Sequence, residues 1–510
     1  MDAAPAAQGS GSRGLLIWAA LSAGFWIGLA AAATQSPDAS AAAVLYQGVL
    51  FAACSFPALV LARQPRYRLL AFFMLVYYAM FGLRDLVLMF TRSQYQIYTG
   101  IEIERTTLAD WLIIGGALLA TAGYTAVVAL WPSPGRAARR SWTYRASLAV
   151  GFVLWTIGIC ANFVVQFVYA YQERQQHVGV GSVIISNLYY LAFLGDAILL
   201  VTAFRHPGRR ASWLLVGLMM IVEYGFGFVG NIKEVSYRIP VLILICSFFC
   251  RGRINLKWAL LLVLSFIPYQ ALFNVYREQV LQVYHRSALD AVTSARKSVD
   301  AVLSRYQHER EPMAKSAFTM LDRVDGRKYV EIITQRTGVS VPYQDGETFK
   351  FLAYSFVPVF WWPDKPQLST GQLMNRTFHL SLSRETFVPS TILGEFYWNF
   401  GVTGVIWGML LVGVIFALVN CSFLRDDRYS TAGMLAVLLV AYFLAARFEA
   451  SVASQYGQCI RVLLILAAID GCFAVMGWKS AIDSSTPRGR QPVRAEARRL
   501  TYLTPEGASP

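Results

Sequence analysis

Long apolar runs constrain this chain more than any other feature of its sequence. A run of about 18 residues or more can cross a hydrocarbon core of roughly 30 Å. Backbone groups in lipid must be satisfied within their own segment, so we expect these runs to be α-helices. Twelve runs lie near residues 14–33, 42–62, 67–90, 108–131, 146–170, 181–204, 212–230, 237–250, 256–275, 401–424, 430–447 and 457–478. Only 15% of the residues are charged, against roughly 25% in soluble domains. The sequence therefore predicts an all-α polytopic membrane protein with about 12 transmembrane helices.

Lysine and arginine are distributed unequally between the loops. With the N-terminus inside, the inside segments hold 22 of them and the short outside loops hold four. Cytoplasmic loops are enriched in these residues, so we expect both termini to be cytoplasmic. The basic residues of these inside loops then explain the net charge of +15. We therefore do not interpret this charge as a nucleic-acid-binding surface, and we expect no nucleic-acid partner. A cleaved signal peptide over residues 15–33 is an alternative, which would leave the other orientations unchanged.

One long polar stretch, residues 276–388, interrupts the apolar runs. The topology places it outside as a large extracytoplasmic loop. Apolar residues at helical spacing predict helices within it, near 280–303 and 314–336, with Gly326 favouring a break. The sequence thus divides into transmembrane helices 1–9 over residues 1–275, the loop over 276–388, helices 10–12 over 389–478 and a basic, disordered cytoplasmic tail over 479–510.

Several charged residues lie within or at the ends of the predicted spans. Such groups cost at least about 2.5 kcal/mol at membrane depth on insertion scales, and they are often functional. The predicted topology puts nearly all of them towards the outer end: Arg84, Asp85, Glu223, Arg238, Arg447, Glu449 and Arg461. Snorkelling explains any one of them, and a structural ion pair is an equal alternative for Arg84. The whole set favours a polar cavity open to the outer leaflet.

Arginines at this level suit an anionic headgroup, because a guanidinium binds phosphate oxygens bidentately and keeps its charge. The candidates are Arg238, Arg277, Arg376, Arg384 and Arg447. Candidate bases for an acceptor hydroxyl are Glu395 and His379, with helix capping and simple surface exposure as the respective alternatives. Candidate surfaces for sugar rings are Tyr397, Trp398, Trp361 and Trp362, with anchoring at the membrane interface as the alternative. The seven cysteines show no metal-ligand spacing, and we expect no metal and no cofactor.

Two motifs near the end of the long loop carry a family resemblance. They are Pro358-Val-Phe-Trp-Trp-Pro-Asp-Lys-Pro366 and Pro389-Ser-Thr-Ile-Leu-Gly-Glu-Phe-Tyr-Trp-Asn-Phe-Gly401-Val-Thr-Gly404, with Gly371 between them. Together with the many spans and the single large late loop, they resemble bacterial O-antigen and exopolysaccharide repeat-unit polymerases of the Wzy type. The resemblance covers residues 350–425 and two short patches, 231–240 and 274–278.

This resemblance implies a GT-C-like fold and a metal-independent, inverting glycosyltransferase in the bacterial cytoplasmic (inner) membrane. Such an enzyme moves a growing glycan from undecaprenyl pyrophosphate onto an acceptor sugar in the outer leaflet. Its expected partners are the lipid-linked glycan, membrane lipid, a chain-length regulator and other polysaccharide assembly proteins. O-antigen ligases use the same chemistry with a different acceptor. A flippase or transporter of a lipid-linked or anionic substrate, or a structural component of an envelope assembly, are further alternatives.

Overall fold

The structure, a computed structural model, consists mainly of long α-helices. It describes residues 9–35, 40–62, 64–91, 106–131, 140–164, 180–229, 233–252, 321–322, 324–357, 362, 370–381, 386–423 and 429–481, with isolated positions between 257 and 304. In this part of the chain, seven helices are long and apolar enough to cross a membrane. A further pair, Pro65–Phe81 and Leu83–Phe90, passes the same test as one span bent by 51°. These features are those of an all-α, multi-pass membrane protein.

The helices and two short strands fall into three groups along the chain. The first group is α1 (Gly9–Gln35), α2 (Ala41–Phe56, continued by a π-helical turn to Leu61), α3 (Arg68–Phe81), α4 (Leu83–Thr91), α5 (Thr107–Leu130), β1 (Arg140–Trp142) and α6 (Tyr144–Val164). The second is α7 (Val180–Arg205), α8 (Arg210–Val229) and α9 (Lys233–Arg251). The third is α10 (Arg327–Arg336), α11 (Glu347–Phe356), α12 (Thr370–Phe378), α13 (Ile392–Phe423), α14 (Thr431–Val440, continued by a π-helical segment to Ala446), α15 (Val452–Val475) and β2 (Lys479–Ala481).

The predicted number of 12 spans is not confirmed in the described residues. Helices α7, α9 and α14 coincide with predicted apolar runs but are not among the seven long apolar helices. Three charged residues, Lys233, Glu234 and Arg238, lie in the first two turns of α9, and α14 with its π-helical continuation is a shorter apolar helix. Most of the ninth run, 256–275, lies outside the described residues.

One end of the bundle is marked by a two-stranded antiparallel ribbon of β1 and β2, and we call it the ribbon end. Nearby, Arg205 Nη1 donates to the hydroxyl of Thr431 over 2.7 Å, and Tyr124 donates to the carbonyl of Arg66 over 2.6 Å. The ribbon corrects the prediction that the tail is disordered from residue 479, because Lys479–Ala481 pair with β1. Residues 482–510 lie outside the described part of the chain.

The opposite end is organised by the first half of α13, residues 392–400, which we call the platform. Helix α13 is kinked where Phe400 (φ −135°) and Gly401 (φ 62°, ψ −148°) leave helical geometry. A positive φ favours glycine, which has no Cβ to clash with the backbone. The kink separates the platform from the apolar remainder of α13, so the predicted tenth span begins at the kink.

The loop segment that contains α10 docks onto the bundle at this platform end. The amide of Gly326 donates to the carbonyl of Met80 over 3.0 Å, and a Cβ on Gly326 would lie 2.6 Å from Met80 Cγ. Helix α10 begins directly afterwards, at Arg327. The break predicted at Gly326 is therefore confirmed, and its physical cause is the close approach of the loop to α3. The helix predicted over 280–303 lies largely outside the described residues.

Candidate functional site

The platform is a buried docking surface for several outer segments. The amides of Gln344 and Asp345 donate to the carbonyls of Trp398 (3.0 Å) and Asn399 (3.2 Å). These bonds satisfy carbonyls that the kink would otherwise leave without partners. The side chain of Asn399 donates to the hydroxyl of Thr348 over 2.8 Å and accepts from the amide of Gly346 over 2.9 Å. The polar residues of the second sequence motif thus hold the loop onto the bundle.

Glu395, a predicted base, is fully buried within the platform. Its Oε2 accepts a hydrogen bond of 2.7 Å from the amide of Val452, the first residue of α15. The Thr348 hydroxyl is its other polar neighbour. A carboxylate at a helix N-terminus is favoured by the free amides and the helix dipole. In this geometry Glu395 caps α15 and has no exposed oxygen for an acceptor sugar.

His379 and Arg376 lie on or beside α12, and both are exposed. His379 has a φ of 53° directly after the last helical residue, a left-handed conformation common at helix ends. The amide of Leu380 closes this end by donating to the carbonyl of Asn375 over 3.3 Å. Helix α12 is joined to the platform by the contact between Phe378 and Trp398, whose ring centroids are 5.2 Å apart.

The predicted aromatic surfaces are divided between the interior and the surface. Tyr397 and Trp398 are buried in the platform, with Tyr343 6.4 Å from Tyr397 between ring centroids. Trp362 is exposed, and its ring packs edge-on against that of Tyr354. Of the three predicted aromatic residues that the structure describes, Trp362 is therefore the one left open to a sugar ring. Trp361, Arg277 and Arg384 lie outside the described residues.

Among the predicted arginines that the structure describes, Arg447 lies in a partly open polar site. Its side chain is 26% exposed, and its Nη1 lies 3.2 Å from Glu234 Oε1 on α9. The same nitrogen donates to Gln458 Oε1 on α15 over 2.9 Å. The backbone is fixed as well, because Gln455 Nε2 donates to the carbonyl of Arg447. Arg447 follows the π-helical end of α14, so three helices meet at this guanidinium.

Further side chains complete what we call the Arg447 cluster. The hydroxyl of Tyr442 donates to Glu234 Oε1 over 3.4 Å. Tyr190 on α7 interacts electrostatically with Arg461, Arg447 and Glu234. Arg461 lies three residues beyond Gln458 on α15, a spacing that puts both on one helix face. Among the residues that the structure describes, the cluster therefore has two guanidinium groups and one carboxylate at the platform end of the bundle.

Arg238 lies in a different environment and does not belong to this open cluster. Its Nε is 2.7 Å from Asp196 Oδ2 and its Nη2 is 2.6 Å from Glu223 Oε1. All three side chains are at most 1% exposed. A guanidinium enclosed by two carboxylates is not open to a pyrophosphate, so the structure does not support Arg238 as a substrate-binding residue.

A second charged assembly, the Arg327 cluster, fastens the loop to the bundle. Arg327 Nη2 lies 2.7 Å from Asp110 on α5 and 3.0 Å from Glu331 on its own helix, and its Nη1 pairs with Asp85 on α4. The guanidinium carbon lies 4.6 Å from the ring centre of Tyr46 on α2. The acidic residue Asp85 therefore pairs with the loop through Arg327.

Two aspartates of the loop extend this cluster towards Arg84. Arg84 Nε is 2.6 Å from Asp322 and 3.6 Å from Asp325, so Arg84 forms the structural ion pair that the sequence allows. Burial raises the pKa of Asp325 to about 6 and that of Glu331 to about 7, and neighbouring carboxylates add to both effects. In the Arg327 cluster, the two arginines face five carboxylates, on Asp85, Asp110, Asp322, Asp325 and Glu331.

Several residues of these sites were not predicted from the sequence, among them Tyr190, Gln458 and Arg327 of the two clusters and Asp196 beside Arg238. Gln458 was detectable from its three-residue spacing to Arg461, and Asp196 as a lone carboxylate in an apolar run. Within the described residues, no group of three or more His, Cys, Asp and Glu side chains is arranged to hold a metal ion. Comparisons with models of known protein families, with curated proteins and with solved structures give no match to this chain.

Proposed function

We propose that this chain is a membrane glycosyltransferase that polymerises lipid-linked oligosaccharide repeat units. The observation that carries the proposal is the Arg447 cluster, in which, among the described residues, two guanidinium groups and one carboxylate lie at one end of a bundle of apolar helices. Guanidinium groups bind phosphate oxygens through parallel hydrogen bonds. The resemblance of the platform motif to repeat-unit polymerases supplies the substrate class, undecaprenyl-pyrophosphate-linked glycan.

In this proposal the Arg447 cluster binds the leaving pyrophosphate. An acceptor hydroxyl oxygen attacks the anomeric carbon, and the bond from that carbon to the pyrophosphate oxygen breaks. The pyrophosphate leaves with the bonding electron pair, and the hydroxyl proton passes to a base. Negative charge grows on the leaving oxygen in the transition state, where cationic donors stabilise it most. Arg447 and Arg461 supply that stabilisation, and an anionic substrate competes with Glu234 for Arg447.

The two predicted bases take different parts in this scheme. His379 is exposed, and in this proposal it is the base that accepts the proton of the acceptor hydroxyl. Glu395 is a positioning residue, because it caps the helix that carries Gln458 and Arg461. Arg277, Arg376 and Arg384 are further candidate contacts of the pyrophosphate, because a guanidinium binds phosphate oxygens and keeps its charge.

The proposed location follows from the charge distribution of the loops. Residues 321–322, residues 324–357 and the turn 447–451 dock at the platform end, which the lysine and arginine count assigns to the outside. We therefore propose that the reaction occurs in the outer leaflet of the bacterial inner membrane, beside a chain-length regulator and other polysaccharide assembly proteins.

Elongation of lipid-linked repeat units by the purified chain in vesicles tests the proposal. We expect Arg447→Ala to lower the elongation rate by about 10²-fold, the usual effect of removing one transition-state donor. Arg447→Lys should retain part of the rate, because lysine keeps the charge but loses the two-bond fork. The matched control is Arg209→Ala, an exposed arginine near the ribbon end that lies over the ring of Tyr144.

Equal elongation by Arg447→Ala and Arg209→Ala would contradict the role of the cluster. Transfer of the glycan only to a different lipid acceptor would indicate a ligase. Movement of the lipid-linked unit across the membrane without elongation would indicate a flippase. The buried charges Asp196, Glu223 and Arg238 favour this second candidate function, since transporters often carry ionisable groups inside the membrane.

A further inference from the structure

Three charged side chains meet in the interior of the bundle, about one helical turn along α9 from Glu234 of the Arg447 cluster. Asp196 on α7, Glu223 on α8 and Arg238 on α9 are each at most 1% exposed. Arg238 Nε lies 2.7 Å from Asp196, and Arg238 Nη2 lies 2.6 Å from Glu223. The group therefore ties three consecutive helices together, and the proposed polymerase reaction makes no use of it.

The fourth wall of this site is α6, which contributes an uncharged donor. Trp155 Nε1 donates to Glu223 Oε1 over 2.9 Å. Glycines let α6 and α7 approach closely, because a Cβ on Gly195 would lie 2.6 Å from the backbone of Gly151 and of Trp155. The charged groups that face Asp196 are Glu223 and Arg238. Such close packing leaves little room for solvent to stabilise an excess charge.

The charges of the three groups do not balance when both acids are ionised. One guanidinium and two carboxylates give a net charge of −1, and an uncompensated charge in a buried site costs several kcal/mol. Some of the carboxylate oxygens also lack a hydrogen-bond donor among the described residues. Oδ1 of Asp196 and Oε2 of Glu223 accept no hydrogen bond from the described residues, yet the two carboxyl groups lie within hydrogen-bonding reach of each other.

A single proton resolves both difficulties. Two ionised carboxylates offer only acceptors, whereas one protonated carboxyl can donate to its ionised neighbour. The added proton also makes the three-residue group electrically neutral. We propose that Asp196 and Glu223 form a proton-binding site that holds one shared proton at neutral pH and still holds it at pH 9, with Arg238 as the fixed counter-ion of the remaining negative charge.

Infrared spectroscopy of the full chain in lipid nanodiscs tests this inference through the C=O stretching band of a protonated carboxyl group. The measurement is made at pH 9, where exposed carboxyl groups are ionised and where Asp325 and Glu331, with pKa values of about 6 and 7, are ionised as well. We expect a protonated-carboxyl band in the unaltered chain, and we expect it to be lost in both Asp196→Asn and Glu223→Gln. Each substitution keeps the shape of the side chain and leaves one cation with one anion, so the group stays neutral.

The matched control is Glu395→Gln, which alters another fully buried carboxyl group and should leave the band in place. Carbon-13 labelling of aspartate or glutamate carboxyls in the unaltered chain provides an assignment that needs no variant to fold. A shared proton predicts that each label shifts part of the band. Absence of the band at pH 9, or its survival in both Asp196→Asn and Glu223→Gln, would overturn the proposal.

Discussion

Arg327 is the residue with the most ionic partners in the described part of the loop. It is 5% exposed and pairs with Asp85, Asp110 and Glu331. Removing one partner of a buried ion pair costs about 3–5 kcal/mol, because the other charges stay buried without compensation. At the scale of single residues, this guanidinium therefore contributes more to docking of the loop than any exposed pair such as Glu347 with Lys350.

We expect Arg327→Met to release α10 from the bundle without unfolding the membrane helices. Amide hydrogen exchange of residues 327–336 should become faster by about 10²-fold or more, in line with a loss of about 3–5 kcal/mol. Arg327→Lys keeps the charge but not the planar fork, and its effect should be smaller. Unchanged exchange in Arg327→Met would show that the ion pairs do not hold the helix.

Among the secondary-structure elements, the contact between the loop segment 324–336 and helices α4 and α5 should depend on pH. Burial raises the pKa of Glu331 to about 7 and that of Asp325 to about 6, above the ordinary values near 4. The docked state therefore binds more protons than the undocked state between about pH 4 and pH 7. The contribution of these two groups to the free energy of docking is therefore largest below pH 4, and it is lost as the pH rises through 7.

For Glu331 this raised pKa corresponds to about 3 kcal/mol between the two limits. Amide exchange in α10, corrected for the intrinsic effect of pH, should thus show tighter docking at pH 5 than at pH 8. Glu331→Gln should flatten the dependence, because glutamine does not titrate. Tighter docking at pH 8 would reverse the predicted sign and contradict the assigned protonation.

The kink in α13 shows what sequence alone predicts about an element and what it does not. The apolar run after Gly401 predicts a helix, because lipid requires internally satisfied backbone groups. The platform before Gly401 is helical for a different reason, since its carbonyls and side chains bind residues 344–348 and the start of α15. Partners so distant along the chain leave no periodic pattern in the sequence.

Across the whole molecule, too, some features follow from local sequence composition, whereas others depend on contacts between residues that are distant along the chain. Helicity and the gathering of charged residues at one end follow from apolar run lengths and loop composition. The pairings Arg84–Asp322 and Arg327–Asp110 join positions more than 200 residues apart, and no local rule specifies them. For the same reason, the sequence could nominate Arg447 and Arg238 together, whereas only three-dimensional contacts separate the partly open arginine from the enclosed one.

The length distribution of the surface glycan in a bacterial strain that lacks this chain tests the polymerase proposal most directly. A polymerase joins repeat units after they have been built on the lipid carrier, so its loss stops growth after the first unit. We predict single repeat units and no long chains, with long chains restored by the unaltered protein and not by Arg447→Ala. A strain that lacks the protein but still makes glycan of normal length would contradict the polymerase proposal.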